Sequence, residues 1–343
     1  MKIGILTGGG DCPGLNAVIR AVVRRADQQG DEVIGFLDAW QGLMENRSMP
    51  LPPSATRGLL TRGGTILGTT RGGPYDTPEG VSKVQEVLAA HEIDSLIVVG
   101  GNGSLSVAAR LHGEFNVAVV GVPKTIDNDI VGTDRSFGFA TAVQVATDAI
   151  DRLHSTAESH DRILVVEVMG RHTGWIAAYS AMAGGAAAVL IPERPYSLER
   201  LADIIRQRHL AGRYASIVVA AEGAVAEGHE AEQLGMPHDK FGHVALGGVG
   251  ATVTAQLEQL TGFEARVVVL GYLQRGGTPN AYDRVLATTM GAAAADAAHE
   301  SRFGNMIALK GSRLGLVPLS ECLGKTKYFD PAEFSHVATL QYG

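Results

Sequence analysis

Short apolar runs alternate with longer stretches whose apolar residues recur every three or four positions, almost from end to end of the chain. The runs at residues 2–6, 32–36, 95–99 and 117–122 have strand length and are apolar on both faces, so they read as buried strands. Residues 163–168, 188–191, 217–220, 267–270 and 306–309 read the same way. After the first run, Leu15, Val18, Ile19, Val22 and Val23 fall at helical spacing, with Arg20, Arg24 and Arg25 among them. Helical patterns also cover residues 81–91, 140–158, 198–209, 250–260 and 282–298. Repeated strand–helix alternation predicts parallel sheets flanked by helices. No fixed-period repeat and no low-complexity linker interrupts it. A domain boundary must therefore be crossed by structured chain, which points to interleaved rather than tandem domains. Residues 223–242, rich in Gly, His and Glu, read as a surface insertion.

Composition narrows the function classes. A chain of 343 residues has room for two domains, and 45% apolar with 19% charged residues is an ordinary globular balance. The net charge of -7 disfavours a nucleic-acid partner, although a local basic pocket for a phosphorylated metabolite is compatible with it. The two cysteines, Cys12 and Cys322, make no disulfide framework and have no zinc-site spacing, which suits a reducing compartment. The chain opens on Met1-Lys2-Ile3-Gly4-Ile5-Leu6 without a signal-peptide pattern, and no uninterrupted apolar run reaches membrane-spanning length. The expectation is a soluble cytoplasmic protein with no membrane partner.

Candidate chemistry gathers at strand ends, where open α/β sheets place their sites. Pro123-Lys124-Thr125-Ile126-Asp127-Asn128-Asp129 brings a cation, a hydroxyl and two carboxylates to the end of the fourth apolar run. Such a set suits phosphoryl transfer, where positioning and charge neutralisation do most of the catalysis. It also suits a turn that caps the next helix with Asn and Asp. Glycine-rich turns occur at residues 7–16, 63–71, 100–104 and 274–279. Such glycines let backbone N–H groups approach phosphates at a helix N-terminus. The first turn is neither GxGxxG nor a Walker A loop, since Pro13 interrupts it and no Gly-Lys-Ser/Thr follows. A plain turn explains any one of these; four in one chain favour a phosphate-rich ligand. Arg171 follows another strand and can clamp a phosphoryl group, or simply pair on the surface. Arg162 and Arg266 begin apolar strands and could bind a second phosphate bidentately. Glu222 ends a strand and can accept hydrogen bonds from sugar hydroxyls, or cap a helix. His160 and His172 lack metal-ligand spacing and read as structural.

Taken together, these segments resemble the phosphofructokinase family, in family order from residue 8 to past residue 284. The combination of Pro-Lys-Thr-Ile-Asp-Asn-Asp, Val-Met-Gly-Arg and Gln-Arg-Gly-Gly carries the resemblance. It implies two interleaved three-layer α/β/α domains with mainly parallel sheets and the active site in the cleft between them. Residues 1–138 with about 274–303 would bind the donor, and 139–273 with about 304–343 the sugar phosphate. The implied reaction is transfer of the ATP γ-phosphoryl group to the 1-hydroxyl of fructose 6-phosphate in glycolysis, with Mg²⁺ as cofactor and a homodimer or homotetramer as assembly. By the same resemblance, Asp127 is the general base. Thr125 and Arg171 stabilise the transferring group, and Asp129 organises metal and base. Met169, Gly170 and Glu222 hold the sugar. Arg162, Arg266, Arg275 and Tyr272 face its 6-phosphate, with Arg162 and Arg266 reaching in from a neighbouring subunit. Gly10, Arg71, Gly101, Asn102, Gly103 and Ser104 cradle the donor.

Three positions bear on donor and activity. Gly103 matches ATP users, whereas pyrophosphate users carry an aspartate there that would repel a nucleotide's α-phosphate. Lys124 resembles pyrophosphate users, but an ammonium attracts phosphate and need not exclude ATP. Gly103 therefore decides for ATP, with the pyrophosphate-dependent phosphotransferase as alternative. Asn102 replaces an acidic metal-binding residue, which lowers the charge offered to Mg²⁺. It is the one feature that favours a third reading, a catalytically weak regulatory paralogue. Tyr272 replaces a histidine, and His154 replaces an effector-site arginine in a set that otherwise includes Arg20 and Arg24.

Overall fold

The computed structural model describes residues 1–228 and 248–334, and the chain divides into two compact units. The first comprises Met1–Thr141 and Arg275–Lys327; the second comprises Ala142–Gln274 and the chain from Tyr328 onward.

The first unit opens with β1 (Lys2–Gly8), α1 (Leu15–Gln29), β2 (Glu32–Phe36), α2 (Ala39–Met44) and β3 (Ser48–Pro50). It continues with α3 (Gly80–Ala90), β4 (Ser95–Gly100), α4 (Asn102–Phe115), β5 (Val119–Thr125) and β6 (Phe137–Gly138). Helix α5 (Phe139–His160) carries the chain onward. The second unit then contains β7 (Ile163–Val168), α6 (Trp175–Ala183), β8 (Ala188–Leu190), α7 (Leu198–Leu210), β9 (Ser216–Ala221), α8 (Val249–Thr261) and β10 (Ala265–Val269). The return to the first unit adds α9 (Ala281–His299), β11 (Asn305–Lys310) and β12 (Arg313–Pro318).

Among the described residues, the first sheet runs β12-β11-β5-β4-β1-β2-β3, with β6 on the end of β5. It is parallel except for its two outermost pairs, β11–β12 and β2–β3. The β4 sequence Ser-Leu-Ile-Val-Val-Gly is buried at every position because helices cover both faces. One face packs Leu6, Leu96, Val98, Leu105 and Met306 with Trp40. Each such side chain contributes about 1.5–3 kcal/mol by leaving water. The second sheet, β10-β7-β9-β8, is parallel throughout and packs Ile163, Val165, Val218, Leu201, Ile205 and Val253.

The structure departs from the sequence reading in three ways. β5 runs on through Pro123, Lys124 and Thr125, so the first three residues of the charged motif are strand rather than turn. The proline loses no ladder bond there, since pairing with β11 stops at Gly121. Three helices, α2, α4 and α6, and three strands, β3, β6 and β12, were not anticipated. α6 is apolar all round and shows no period, and α4 begins inside a glycine-rich stretch. Residues 304–327, expected in the second domain, lie in the first, because β11 pairs with β5. Of the expected insertion, residues 229–242 lie outside the described residues.

Candidate active site

Three adjacent strands of the first unit, β1, β4 and β5, end side by side, with Gly8 opposite Gly100 and Gly100 opposite Pro123. Their loops are tied to each other by side chains. Thr7 Oγ1 lies 2.9 Å from Thr65 Oγ1 and donates to the Gly68 carbonyl at 2.9 Å. Asn16 donates to the Arg62 and Gly63 carbonyls at 3.1 Å each and accepts from the Ile66 N–H at 2.9 Å. Thr69 donates to the Gly9 carbonyl at 2.5 Å. The two glycine loops expected to cradle a donor, including Gly10 and Arg71, are thus one construction. Gly101 caps α4, which starts at Asn102 directly in the third glycine loop. Gly103 and Ser104 therefore sit in the first turn of a helix, where N–H groups lack intrahelical partners and face anions well. A Cβ at Gly103 would meet nothing within 4 Å.

The turn after β5 is held from inside. The Asp127 N–H donates to Thr125 Oγ1 at 3.0 Å, and Asn128, at φ 52, accepts from the Ser136 N–H at 3.1 Å. Ser136 Oγ closes the turn on the Thr125 carbonyl at 2.9 Å. Asn102 Nδ2 donates to Asp129 Oδ2 at 2.8 Å, so these two side chains form one pair. Their remaining oxygens, Asn102 Oδ1 and Asp129 Oδ1, are buried and accept no hydrogen bond from protein.

Lys124 is 4% exposed, and its ammonium donates to the Gly10 carbonyl. Burial, reinforced by Arg275, pulls it below the ordinary lysine range, against Asp129 and Asp11, which favour the charged form. Burial pushes the neighbouring Cys12 thiol up to about 12, with Lys124 working the other way, so the thiol is neutral at pH 7. Arg275 Nη1 reaches the Asp11 carbonyl at 3.3 Å and lies 2.7 Å from where a Gly10 Cβ would be. The structure therefore places Arg275 in the first unit, against the first glycine loop.

In the second unit, backbone bonds do this work. β7 and β9 end together, with Val168 opposite Ala221. The Glu222 N–H donates to the Val168 carbonyl at 2.9 Å, and the Gly223 N–H to the Gly170 carbonyl at 3.2 Å. Gly170 has φ 137, and a Cβ there would lie 2.6 Å from the Thr173 carbonyl; one on Gly223 would run into the Arg171 carbonyl. The fully buried Gln274 accepts from the Met169 N–H at 3.3 Å and donates to the Gly271 carbonyl at 3.2 Å. Met169, Gly170, Arg171 and Glu222 are thus brought together. Arg162 and Arg266 are not: they stand at the starts of β7 and β10, the opposite edge of this sheet. Arg162 pairs there with Glu264 at 2.7 Å, and Arg266 with Glu264 and Glu258. Tyr272 is 81% exposed. A cavity of about 460 Å³ lined by His154, Arg208, Arg213 and Tyr214 also lies by Ser216, at the start of β9, away from Glu222 at its other end.

The first unit carries strand-end glycine loops and a carboxylate turn, and the second a backbone-held cluster of Met169, Gly170 and Glu222. The family model for phosphofructokinase matches residues 2–298. The chain belongs to the phosphofructokinase family. It is similar to the pyrophosphate–fructose 6-phosphate 1-phosphotransferase of Streptomyces coelicolor, at 51% identity over 99% of both chains. ATP-dependent 6-phosphofructokinase 3 of the same organism is 50% identical over 98% of both. Among solved structures, Pichia pastoris phosphofructokinase matches with a TM-score of 0.85 and 32% identity, over 99% of this chain and 36% of that one. Membership makes the chain a phosphotransferase.

Kinases of this kind work with a divalent metal. The free oxygens of Asn102 and Asp129 fit a hard cation that takes oxygen ligands and keeps several waters and phosphate oxygens. Among the described residues no cluster of three or more His, Cys, Asp or Glu could hold a metal without substrate. None of their helices is long and apolar enough to cross a membrane. Two supports escaped the sequence reading. Gln274 was noted only as part of a glycine motif, and Lys327, which bonds to the Asp129 carbonyl, carried no motif at all.

Proposed function

We propose that the protein transfers the γ-phosphoryl group of ATP to the 1-hydroxyl of fructose 6-phosphate, giving fructose 1,6-bisphosphate in cytoplasmic glycolysis. The observation that carries this reading is the turn after β5, where Thr125, Asp127 and Asp129 are locked beside Asn102 and the first turn of α4. Asp127 takes the proton of the sugar hydroxyl as it attacks. Thr125 and Arg171 offer donors to the phosphoryl group in flight. Asn102 and Asp129 would hold Mg²⁺, which neutralises phosphate charge when bound. Gly10, Arg71 and the residues from Gly101 to Ser104 receive the donor phosphates; Met169, Gly170 and Glu222 orient the sugar.

Arg162 and Arg266 stand a full strand away from Met169. Six residues of β7 span roughly 20 Å at about 3.3 Å each. They therefore serve the 6-phosphate of a second copy's substrate, which requires a homodimer or homotetramer. Arg275 and Tyr272 complete the phosphate contacts from the same chain.

ATP is preferred because the space before Gly103 is open, so an α-phosphate is not repelled there. A specific observation favours the alternative donor, pyrophosphate: the ammonium of Lys124 is buried at the first glycine loop, where a short donor would need charge. Initial rates with fructose 6-phosphate and Mg²⁺, using ATP or pyrophosphate in parallel, test the reading. Turnover with ATP alone supports it, turnover with pyrophosphate alone gives the decision to Lys124, and silence with both overturns it.

A further inference from the structure

The segment before Asp129 is held by its own turn, but the segment after it is held from far along the chain. Residues 129–134 lie against the hairpin of β11 and β12. The Leu309 N–H donates to Thr133 Oγ1 at 3.0 Å, the Asp134 N–H to the Leu309 carbonyl at 2.9 Å, and the Gly311 N–H to Asp134 Oδ2 at 2.6 Å. Cys322 Sγ donates to the Val131 carbonyl at 3.3 Å. These bonds fix the far half of the loop and leave Asp129 itself to two other contacts. One is Asn102, which donates to the side chain at 2.8 Å and more weakly to the carbonyl at 3.4 Å.

The other is Lys327, which grips the loop twice. Its N–H donates to the Asp129 carbonyl at 2.8 Å. Its ammonium donates to the Thr133 carbonyl at 2.9 Å and the Asp134 carbonyl at 3.0 Å. A single residue thus spans the loop from Asp129 to Asp134 and satisfies three carbonyls. Charge-assisted bonds of this sort are stronger and more directional than neutral ones. Neither an apolar side chain nor a shorter one could reach both carbonyls while the backbone stays on Asp129.

We propose that Lys327 is a positioning residue that sets the height of Asp129, and through it the Asn102 pair and the base at Asp127, from the C-terminal side. It touches no reacting atom; it fixes the backbone from which the carboxylates project. The inference rests on the roles proposed above for Asp127 and Asp129. A displacement of about 1 Å in such a group costs on the order of a hundredfold in rate. A merely structural lysine would lower stability and leave kcat at 25 °C intact.

The test uses full-length Lys327→Met, Lys327→Gln and Lys327→Arg, with turnover, melting temperature and amide exchange of residues 127–135 followed together. The Met variant is expected to lose about tenfold or more in kcat, with a higher Mg²⁺ requirement and KM for fructose 6-phosphate within about twofold. Amide exchange in 127–135 should quicken about tenfold, while residues 163–168 keep their protection. Arg, which keeps charge and reach, should restore most of both effects. Gln, which keeps an N–H donor, should fall between and carries the test if the Met variant does not fold. Unchanged exchange with unchanged kcat would overturn the proposal, as would a lowered melting temperature with kcat intact. If the wild type turned over neither donor, the functional reading would fail, while the exchange measurement would still decide whether Lys327 holds the loop.

Discussion

The ends of the two sheets hold their candidate site residues in contrasting ways. In the first unit, site residues are held by side chains reaching across loops: Thr7 to Thr65, Asn16 to residues 62–66, Asn102 to Asp129. In the second unit, Met169, Gly170 and Glu222 are held by backbone bonds and by glycines with no room for a Cβ. The first arrangement can be retuned one side chain at a time, which suits the donor and metal role proposed for it. The second fixes a chain path whatever the neighbouring side chains are, which suits the proposed recognition of one sugar. Mutations should accordingly act on rate and donor in the first unit, and on folding and sugar affinity in the second.

The largest expected effect is Asp127→Ser. It should lower kcat by about 10²- to 10⁴-fold with little change in either KM, since the base acts in the transition state. A mild loss in single-turnover experiments would remove Asp127 from its role. Next comes Gly223→Ala in the second unit. The added methyl would run into the Arg171 carbonyl and lie 3.0 Å from the Gly170 carbonyl, backbone groups that cannot swing aside. Overpacking should cost about 3 kcal/mol in denaturant unfolding and raise KM for fructose 6-phosphate. Wild-type stability in this variant would show that the backbone clasp is softer than the contrast demands.

The same contrast explains what the sequence could disclose. Strands such as Ser95–Gly100 announce themselves because parallel strands buried on both faces are continuous apolar runs. Asp127 and Asp129 drew notice because a cation, a hydroxyl and two carboxylates follow such a run, although a capping turn would account for them as well. Asn102 was legible as a departure from an acidic residue, but its bond to Asp129 was not, because they are 27 positions apart. Lys327 gave no signal at all: one lysine in an irregular segment looks like any surface cation, and its partners are carbonyls, which every residue has. β12 escaped notice because half-buried edge strands need not be apolar, and the pairing of β11 with β5, which sets residues 304–327 in the first unit, leaves no mark in either run.

Smaller effects sharpen the comparison. Asn102→Asp would set a second carboxylate against Asp129 Oδ2, now 2.8 Å from the amide. Without metal the pair should repel and lower the melting temperature; with Mg²⁺ the added charge should reduce the metal requirement about tenfold. A melting curve with and without chelator reads both, and equal shifts in the two would contradict a metal role for this pair. Gly103→Asp fills open space, so stability should hold while KM for ATP rises about tenfold and that for pyrophosphate does not. Equal effects on both donors would show that this position does not discriminate.

The smallest effect belongs to the far edge of the second sheet, where Glu264 bonds to Arg162 and Arg266. The hydrogen bond from Arg162, helped by the charge of both arginines, holds the Glu264 carboxyl below the usual glutamate range. A folded-state value below the unfolded one means that the pairing stabilises above the ordinary glutamate pKa and is lost as pH falls through the lowered value. Glu264→Gln should therefore melt slightly earlier than wild type at pH 7, and the two curves should converge in acid. Both glutamate and arginines are substantially exposed, so salt should shrink the difference too. Freed from this partner, Arg162 and Arg266 should bind a sugar phosphate somewhat better, and a lower KM for fructose 6-phosphate would separate that role from a purely structural ion pair. A gap that persists below the lowered pKa would mean that the amide disturbs the sheet edge by packing rather than by charge.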